Sequence, residues 1–305
     1  DFTCLSTDTD GYPTLAAHPG GAPANYLAAL TKFGAKTAMI GKVGNDAFGR
    51  LLIKTLKGTG IDTRGMLVSD DVFTTLAFVT LDDSGDREFS FARKPGADTQ
   101  LRFDEIDLGV IDASKVLHFG TLSMTNEPAR DATYKAVEYA AGRGKLISFD
   151  PNLRKPLWND LDEAKRQMLW GLRHADVVKI SDEETEFLFS LAPEESAKHI
   201  INSFGVRLVY VTCGAEGCFY RTKTASGFVK ALSGIAVKDT TGEGDIFGGS
   251  AMYGLLRAGG VPEKLTAEEL ENIVSFACAS AGLSTTRAGG ISSVAELIEV
   301  EAAMK

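Results

Sequence analysis

The chain has 305 residues, of which 44% are hydrophobic and 24% charged, and its formal net charge is −9. This suits one large α/β domain or two small ones, and the acidity argues against nonspecific binding to nucleic acid or membranes. The four cysteines, Cys4, Cys213, Cys218 and Cys278, have no matching Cys/His pair, so zinc is not expected and reduced thiols in a cytoplasmic protein are. No apolar run approaches a membrane span and no signal peptide is visible; the chain starts at Asp1 rather than Met, so an upstream segment is expected.

Residues 1–5 read as the tail of a strand, and 6–19 are polar and turn-rich, with a bend at Asp10-Gly11-Tyr12-Pro13. Gly20-Gly21-Ala22-Pro23-Ala24-Asn25 then opens a helix whose apolar positions are Tyr26, Leu27, Leu30 and Phe33. Asn25 carries both a donor and an acceptor, which suits a hydroxyl-rich ligand; a plain helix-opening turn explains the glycines equally well. Residues 74–81 and 87–92 are strand-like and 82–86 are turn chemistry, which predicts a hairpin. The hairpin is either an edge of the main sheet or a flap over a site. Arg93 follows it, with a planar fork that fits a hydroxyl pair or a carboxylate.

Residues 116–119 form a strand, 127–143 a helix with Ala132, Ala136, Val137 and Ala140 on one face, and 146–149 a second strand. Strand, helix and strand at this spacing make a βαβ unit and a parallel sheet. Ligands collect at the carboxyl ends of such strands, where Asp150, Asn152 and Arg154 lie; a structural loop with Asp150 paired to Arg154 is the alternative. Residues 177–180 form the next strand. The acid-rich run from Ser181 through Glu184 suits either a ligand site or a first helical turn. A strand at 208–212 leads to Gly214 and Gly217, short strands and turns fill 219–238, and an Ala-rich helix is expected from Asn272 to Leu283.

The stretch around which the rest is organised is Asp239-Thr240-Thr241-Gly242-Glu243-Gly244-Asp245, which runs into a helix with Phe247, Ala251, Gly254 and Leu255 on one face. A glycine turn feeding a helix presents unpaired backbone N–H groups and the positive end of the dipole, so it favours an anion such as phosphate. Asp245 in the first turn is placed to take a proton from a nearby hydroxyl. An anion hole with an adjacent base is what phosphoryl transfer to an alcohol needs. A merely capped helix start with a favourable first-turn acid has the same local pattern. There is no Walker A pattern, no internal repeat and no linker, and Gly242-x-Gly244 lacks the third glycine of a dinucleotide fingerprint.

DTTGEGD (239–245) resembles the DTxGAGD signature of the ribokinase-like (PfkB) family of sugar and nucleoside kinases, and GGAPAN (20–25) resembles its GGxxAN signature, with GKVGNDAFG (41–49) as the usual continuation. REFSFARKPGAD (87–98) resembles the fructokinase version of the lid segment, where the Arg reaches the sugar, and DPNLR (150–154) resembles the fructokinase and 2-keto-3-deoxygluconate kinase branch. The resemblance implies one α/β domain over 1–305, with a central mainly parallel sheet flanked by helices and a small β lid from roughly 11–19 and 73–98. It implies ATP as phosphoryl donor, Mg2+, and K+ as a further ion. D-fructose, phosphorylated at C6, is the first-ranked substrate. 2-Keto-3-deoxygluconate is the nearest rival, and a non-catalytic sugar or nucleotide sensor is the rival from another class.

By the same resemblance Asp245 is the base, with Gly242, Glu243 and Gly244 as the anion hole. Asp1, Gly20, Gly21, Asn25, Arg93, Asp150, Asn152 and Arg154 surround the sugar. Ser181, Glu184, Thr212, Gly214 and Gly217 face the nucleotide, and Glu184 meets magnesium through water. Asp239, Thr241, Ser284, Arg287, Gly289 and Ser293 surround a monovalent cation, chiefly through carbonyls. A homodimer through the lid is implied as well. The chain departs from the pattern at Glu243, where the family has Ala, and at Ser181, where it has Asn.

Overall fold

The computed structural model describes residues 1–81 and 87–305, so the turn expected at 82–86 lies outside the described residues. The chain begins with strands β1 (Phe2–Thr7) and β2 (Pro13–Ala17) and helix α1 (Ala22–Lys32). Strand β3 (Ala38–Gly44), helix α2 (Ala47–Thr59) and strand β4 (Asp62–Ser69) follow, then β5 (Leu76–Leu81) and β6 (Arg87–Ala92). Helix α3 (Leu108–Ala113) leads into an alternating run: β7 (Val116–Gly120), α4 (Ala129–Ala141), β8 (Leu146–Asp150), α5 (Leu161–His174) and β9 (Val177–Ser181). Helices α6 (Asp182–Phe189) and α7 (Pro193–Phe204) precede β10 (Leu208–Thr212), β11 (Gly217–Arg221) and β12 (Ser226–Lys230); α8 (Glu243–Arg257), α9 (Ala267–Ser284) and α10 (Leu297–Ala303) end the chain.

The main sheet has six strands in the order β12-β11-β10-β9-β8-β7. The pairs from β7 to β10 are parallel, while β11 and β12 add an antiparallel edge. Its central strands are apolar runs because helices cover both faces. On one face Ile147, Phe149, Val178, Ile180, Val209 and Val211 pack against Ala136, Met168 and Ile200 of α4, α5 and α7. On the other, Val177, Leu208 and Tyr210 meet Tyr26, Phe247, Leu255 and Ala277 of α1, α8 and α9. Helices α1 and α8 approach closely because Gly249 has no side chain: a Cβ there would strike the Tyr26 carbonyl. That approach carries Asn25 of α1 to the start of α8.

A second sheet, in the order β2-β1-β5-β6, stands apart from the main one. It rests on α2 through Phe2, whose ring meets Phe48 edge-on at 5.3 Å and stacks on Phe78 at 5.2 Å. Besides the expected segments, this sheet takes in β1. β3 and β4 form a separate parallel pair. A cavity of about 600 Å³, lined by Met39 and Ile40 on one side and Val116 to Phe119 on the other, lies between β3 and β7.

Helix α9 begins before Asn272, because Thr266 and Glu269 form a capping box that extends it by a turn. All four cysteines are free, as expected, and Cys213, Cys218 and Cys278 are buried. Among the described residues no helix is long and apolar enough to cross a membrane.

Candidate active site

Parallel pairing sets Gly120 opposite Asp150 and Ser181 opposite Thr212, so the carboxyl ends of β7 to β10 share one edge of the sheet. The N-terminus of α8 comes over this edge. Gly242 enters α8 at φ 76°, a left-handed conformation that costs a side-chain-bearing residue about 1 kcal/mol or more, and no side chain caps the helix. The Glu243 amide donates to the Thr240 carbonyl at 3.3 Å, which leaves the Gly244 and Asp245 amides for an anion. Asn25 fills the space beneath: a Cβ on Gly242 would lie 2.8 Å from its Nδ2, and one on Gly290 would strike its Oδ1.

Asn25 Nδ2 donates to Asp245 Oδ2 at 3.0 Å. Asp245 is only 7% exposed. Burial raises its pKa above the usual carboxylate range, against the opposing pull of the Asn25 hydrogen bond and the charges of Lys179 and Arg154. A carboxylate so raised is a better proton acceptor than a free one. Asn25 Oδ1 and Asn152 Nδ2 are buried and have no partner among the described residues, so an acceptor and a donor are left for hydroxyl groups.

The loop after β8 is held from both ends. Asp150 is paired with Lys179 of β9 at 3.1 Å rather than with Arg154, which is exposed. Burial also raises the Asp150 carboxyl, Lys179 opposing. Asn152 takes φ 44°, tolerable for Asn, and turns the chain back. Glu184 accepts from the Leu153 amide at 2.6 Å and from the Ser181 amide at 2.9 Å, while Ser181 Oγ accepts from the Glu184 amide at 3.2 Å. Ser181 and Glu184 thus form a capping box that also ties down the 150–154 loop. The first-turn reading of these acids therefore holds.

Asp239 clasps two loops, accepting from the Thr241 and Gly289 amides, each at 2.9 Å. The Thr285 carbonyl accepts from the Lys238 and Asp239 amides. Ser284 and Ser293 hydroxyls donate to the Ala281 and Gly290 carbonyls, and Arg287 reaches Glu299. These loops are rich in carbonyls, and Asp239 supplies charge beside them, which fits a monovalent cation. Arg287 can contribute only its main chain, because its guanidinium is turned to Glu299.

At the N-terminus, the Asp1 amine donates to the His18 carbonyl at 2.9 Å, and the Asp1 carboxylate lies against Gly20, where a Cβ would be 2.5 Å from its Oδ2. Gly21, at φ 119°, gives the turn into α1. His18 in turn lies beside Gly289. Arg93 is largely committed within the protein: it donates to Asp98, to Thr125 Oγ1 at 2.7 Å and to the Leu122 carbonyl at 2.8 Å. The sequence expected a fork offered to the ligand, whereas the structure uses it to fix the exit of β6. Thr212 ends β10, Gly214 turns the chain at φ 50°, and Gly217 crosses β12 so closely that a Cβ would strike the Val229 carbonyl.

Sequence reasoning missed a polar patch on the face of the sheet beneath α1 and α8. Tyr26 stacks on His118 with ring centroids 3.7 Å apart, and Ser148 Oγ lies 3.0 Å from His118 Nδ1 and 3.3 Å from the Tyr26 hydroxyl. Lys179 continues this patch toward Asp245. A lysine and a histidine inside otherwise apolar buried strands were the available signal, since such groups are buried only with partners.

An uncapped glycine helix entry at the carboxyl edge of a parallel sheet, with a buried carboxylate hydrogen-bonded beside it, makes this the site of a phosphotransferase acting on an alcohol. The chain belongs to the pfkB family of carbohydrate kinases, whose family model matches residues 6–297. It is 40% identical over 295 residues to the Arabidopsis thaliana protein named "Probable fructokinase-4", a match that covers 96% of this chain and 89% of that one. Among solved structures, the Xylella fastidiosa fructokinase with bound ATP superposes with a TM-score of 0.90 at 29% identity, covering 99% of this chain and 95% of that one. A Vibrio cholerae fructokinase double mutant with bound fructose, ADP and potassium ion superposes with a TM-score of 0.87 at 30% identity, over 100% and 96% of the two chains.

Proposed function

We propose that this chain is a fructokinase that transfers the γ-phosphoryl group of ATP to the C6 hydroxyl of D-fructose. The observation that carries the reading is the Asn25–Asp245 hydrogen bond of 3.0 Å beneath the uncapped Gly242–Gly244 turn, joined to the names of the proteins this chain resembles. Asp245 accepts the hydroxyl proton as the oxygen bonds to the γ-phosphorus and the bond from that phosphorus to the bridging oxygen breaks, releasing ADP. The first-turn amides of α8 meet the charge on the transferred group, and Arg154, whose charge reaches Asp245, faces the same region. Asn25, Asp1 and Asn152 orient the sugar, and Arg93 fixes the flap that carries it. The antiparallel flap of β1, β2, β5 and β6 excludes water and so limits loss of ATP to hydrolysis.

Magnesium, when bound with the nucleotide, neutralises phosphate charge; Glu184, with its oxygens already on the Leu153 and Ser181 amides, would meet it through water. Ser181, Thr212, Gly214 and Gly217 border the nucleotide. A potassium ion would sit among the carbonyls of the loops around Asp239 and Gly289. Leu5 of β1 and Tyr12 of the turn before β2, 66% and 71% exposed, suit a homodimer formed through the small sheet. Free buried thiols and the acidic charge suit a cytoplasmic enzyme.

A coupled ADP-release assay tests the reading, with fructose, 2-keto-3-deoxygluconate, ribose and glucose each supplied with and without potassium. Fructose should exceed the others by at least tenfold in kcat/KM. Turnover confined to the keto acid would reassign Arg154 to a carboxylate. No turnover by folded protein that binds ATP would favour the non-catalytic sensor.

A further inference from the structure

Lys179 occupies the middle of β9, where its neighbours Val178 and Ile180 are fully buried. Its side chain is 12% exposed and its ammonium donates to Asp150 Oδ2 at 3.1 Å. The same nitrogen lies directly beneath the entry to α8: a Cβ built on Gly244 would be 2.9 Å from Nζ. The missing side chain at 244 therefore serves Lys179 as well as any anion above the turn. We propose that Lys179 is a positioning residue for phosphoryl transfer, joining Asp150 to the Gly244 turn and supplying the buried positive charge that keeps Asp245 a carboxylate. This rests on the assignment of Asp245 as the base.

The groups facing Lys179 come from every element around it. Asp150 stands at the end of β8, Glu184 at the start of α6, and Asp245 with Glu243 in the first turn of α8. His118 of β7 adds no second cation, because burial and the Lys179 charge push it down to about 3. Cys218 of β11 adds no anion, because burial raises its thiol. Arg154 acts on Asp245 from an exposed loop, where water screens it. Burial alone would discharge Lys179, but Asp150, Glu184 and Asp245 outweigh it and hold the ammonium.

A lone cation among buried carboxylates decides which of them stays ionised. β9 is the place to fix it, because a central parallel strand is the least mobile part of the molecule. Without Lys179, a proton would settle on the carboxylates and Asp245 would lose its function as acceptor. Any shift of the Asp150 loop would add to that effect through Asn152.

The test compares Lys179→Met and Lys179→Arg with the unmodified chain by kcat against pH from 5 to 9, with ATP affinity by calorimetry and thermal melting as controls. Lys179→Met should lower kcat at pH 7 by about tenfold or more and move the acid limb upward by about one unit, so that the deficit shrinks as pH rises. Lys179→Arg should return the limb most of the way. An unmoved limb with uniformly lower kcat would reduce Lys179 to packing, and kcat within twofold of normal would overturn the proposal outright. If Lys179→Met fails to fold, Lys179→Gln, which keeps a hydrogen bond to Asp150 without the charge, should show the same moved limb; an unmoved limb there overturns it as well. Asp245→Asn, run alongside, separates the two assignments: if it abolishes turnover while the Lys179 variants leave the limb in place, only the Lys179 proposal fails.

Discussion

Replacing Asn25 by Asp keeps the shape of the side chain, so its fit under Gly242 and Gly290 is retained. It exchanges the amide that donates to Asp245 for a second carboxylate oxygen at 3.0 Å. Two unit charges at that separation repel by about 5 kcal/mol at an effective dielectric of 20, several pKa units' worth. The pair will therefore hold one proton between two oxygens across the neutral range. A proton shared with the new carboxyl removes most of the negative charge from Asp245 and makes it a poor acceptor for the sugar hydroxyl, and kcat should fall about a hundredfold or more, the usual worth of a general base. ATP affinity should be unchanged, and the melting temperature should move by only a few degrees, because the shared proton restores a hydrogen bond. The assay is coupled ADP release at saturating ATP and fructose from pH 5 to 9, with calorimetry for ATP. A variant that turns over within tenfold of normal at pH 7, with its acid limb unmoved, would refute the reading that Asn25 sets the state of Asp245.

Asp245→Asn should cut kcat by about a hundredfold to ten-thousandfold while the protein still binds ATP. The same change should raise the melting temperature at pH 8. Burial lifts the folded pKa of Asp245 above its unfolded value, so its contribution to stability is full below about pH 4 and is lost as pH rises through the folded pKa. The gain over the unmodified chain should therefore shrink as pH falls toward 4, which melts across pH 4 to 8 would check. Arg93→Ala should lower stability by about 2 kcal/mol in urea titrations, discounted for the partly exposed Asp98, because it removes the bonds given to Thr125 Oγ1 and the Leu122 carbonyl and leaves those two only their bond to each other at 3.1 Å; an unchanged urea midpoint with a raised fructose KM would make it a sugar ligand instead. The edges of β3 and β7 that face the cavity should exchange amide hydrogens far faster than β9 and β10 at the centre of the main sheet. Equal protection in hydrogen-exchange mass spectrometry would mean that those edges are paired.

The chemistry of the site was legible in the sequence wherever it depends on local backbone. Gly242 before Asp245, and Gly20-Gly21 before Asn25, are turns that must open helices, and both do so. The apolar runs at 146–149, 177–180 and 208–212 had to be buried parallel strands, because the helical segments between them leave no other connection. A strand's end and a helix's start are matters of neighbouring residues. The acid run at Ser181–Glu184 could be read two ways, and its capping geometry depends on local spacing too, yet its second task does not. Only the folded chain shows Glu184 holding the Leu153 amide, 31 residues away.

What tertiary structure alone decided is which side chains meet. Asn25 and Asp245 are 220 residues apart and are joined because α1 and α8 pack at glycine contacts. Asp150 faced Arg154 or the ligand on paper, but parallel pairing of β8 with β9 brings Lys179 to it instead. Arg93 had a free fork in the sequence and a bonded one in the fold, since Asp98 and the turn that carries Leu122 and Thr125 converge on it. Charge state followed the same division. The sequence determined that a carboxylate stands at the helix entry, and burial among Asp150, Lys179 and Glu184 determined how strongly it holds a proton, because desolvation and Coulomb energy depend on distance in space and not along the chain.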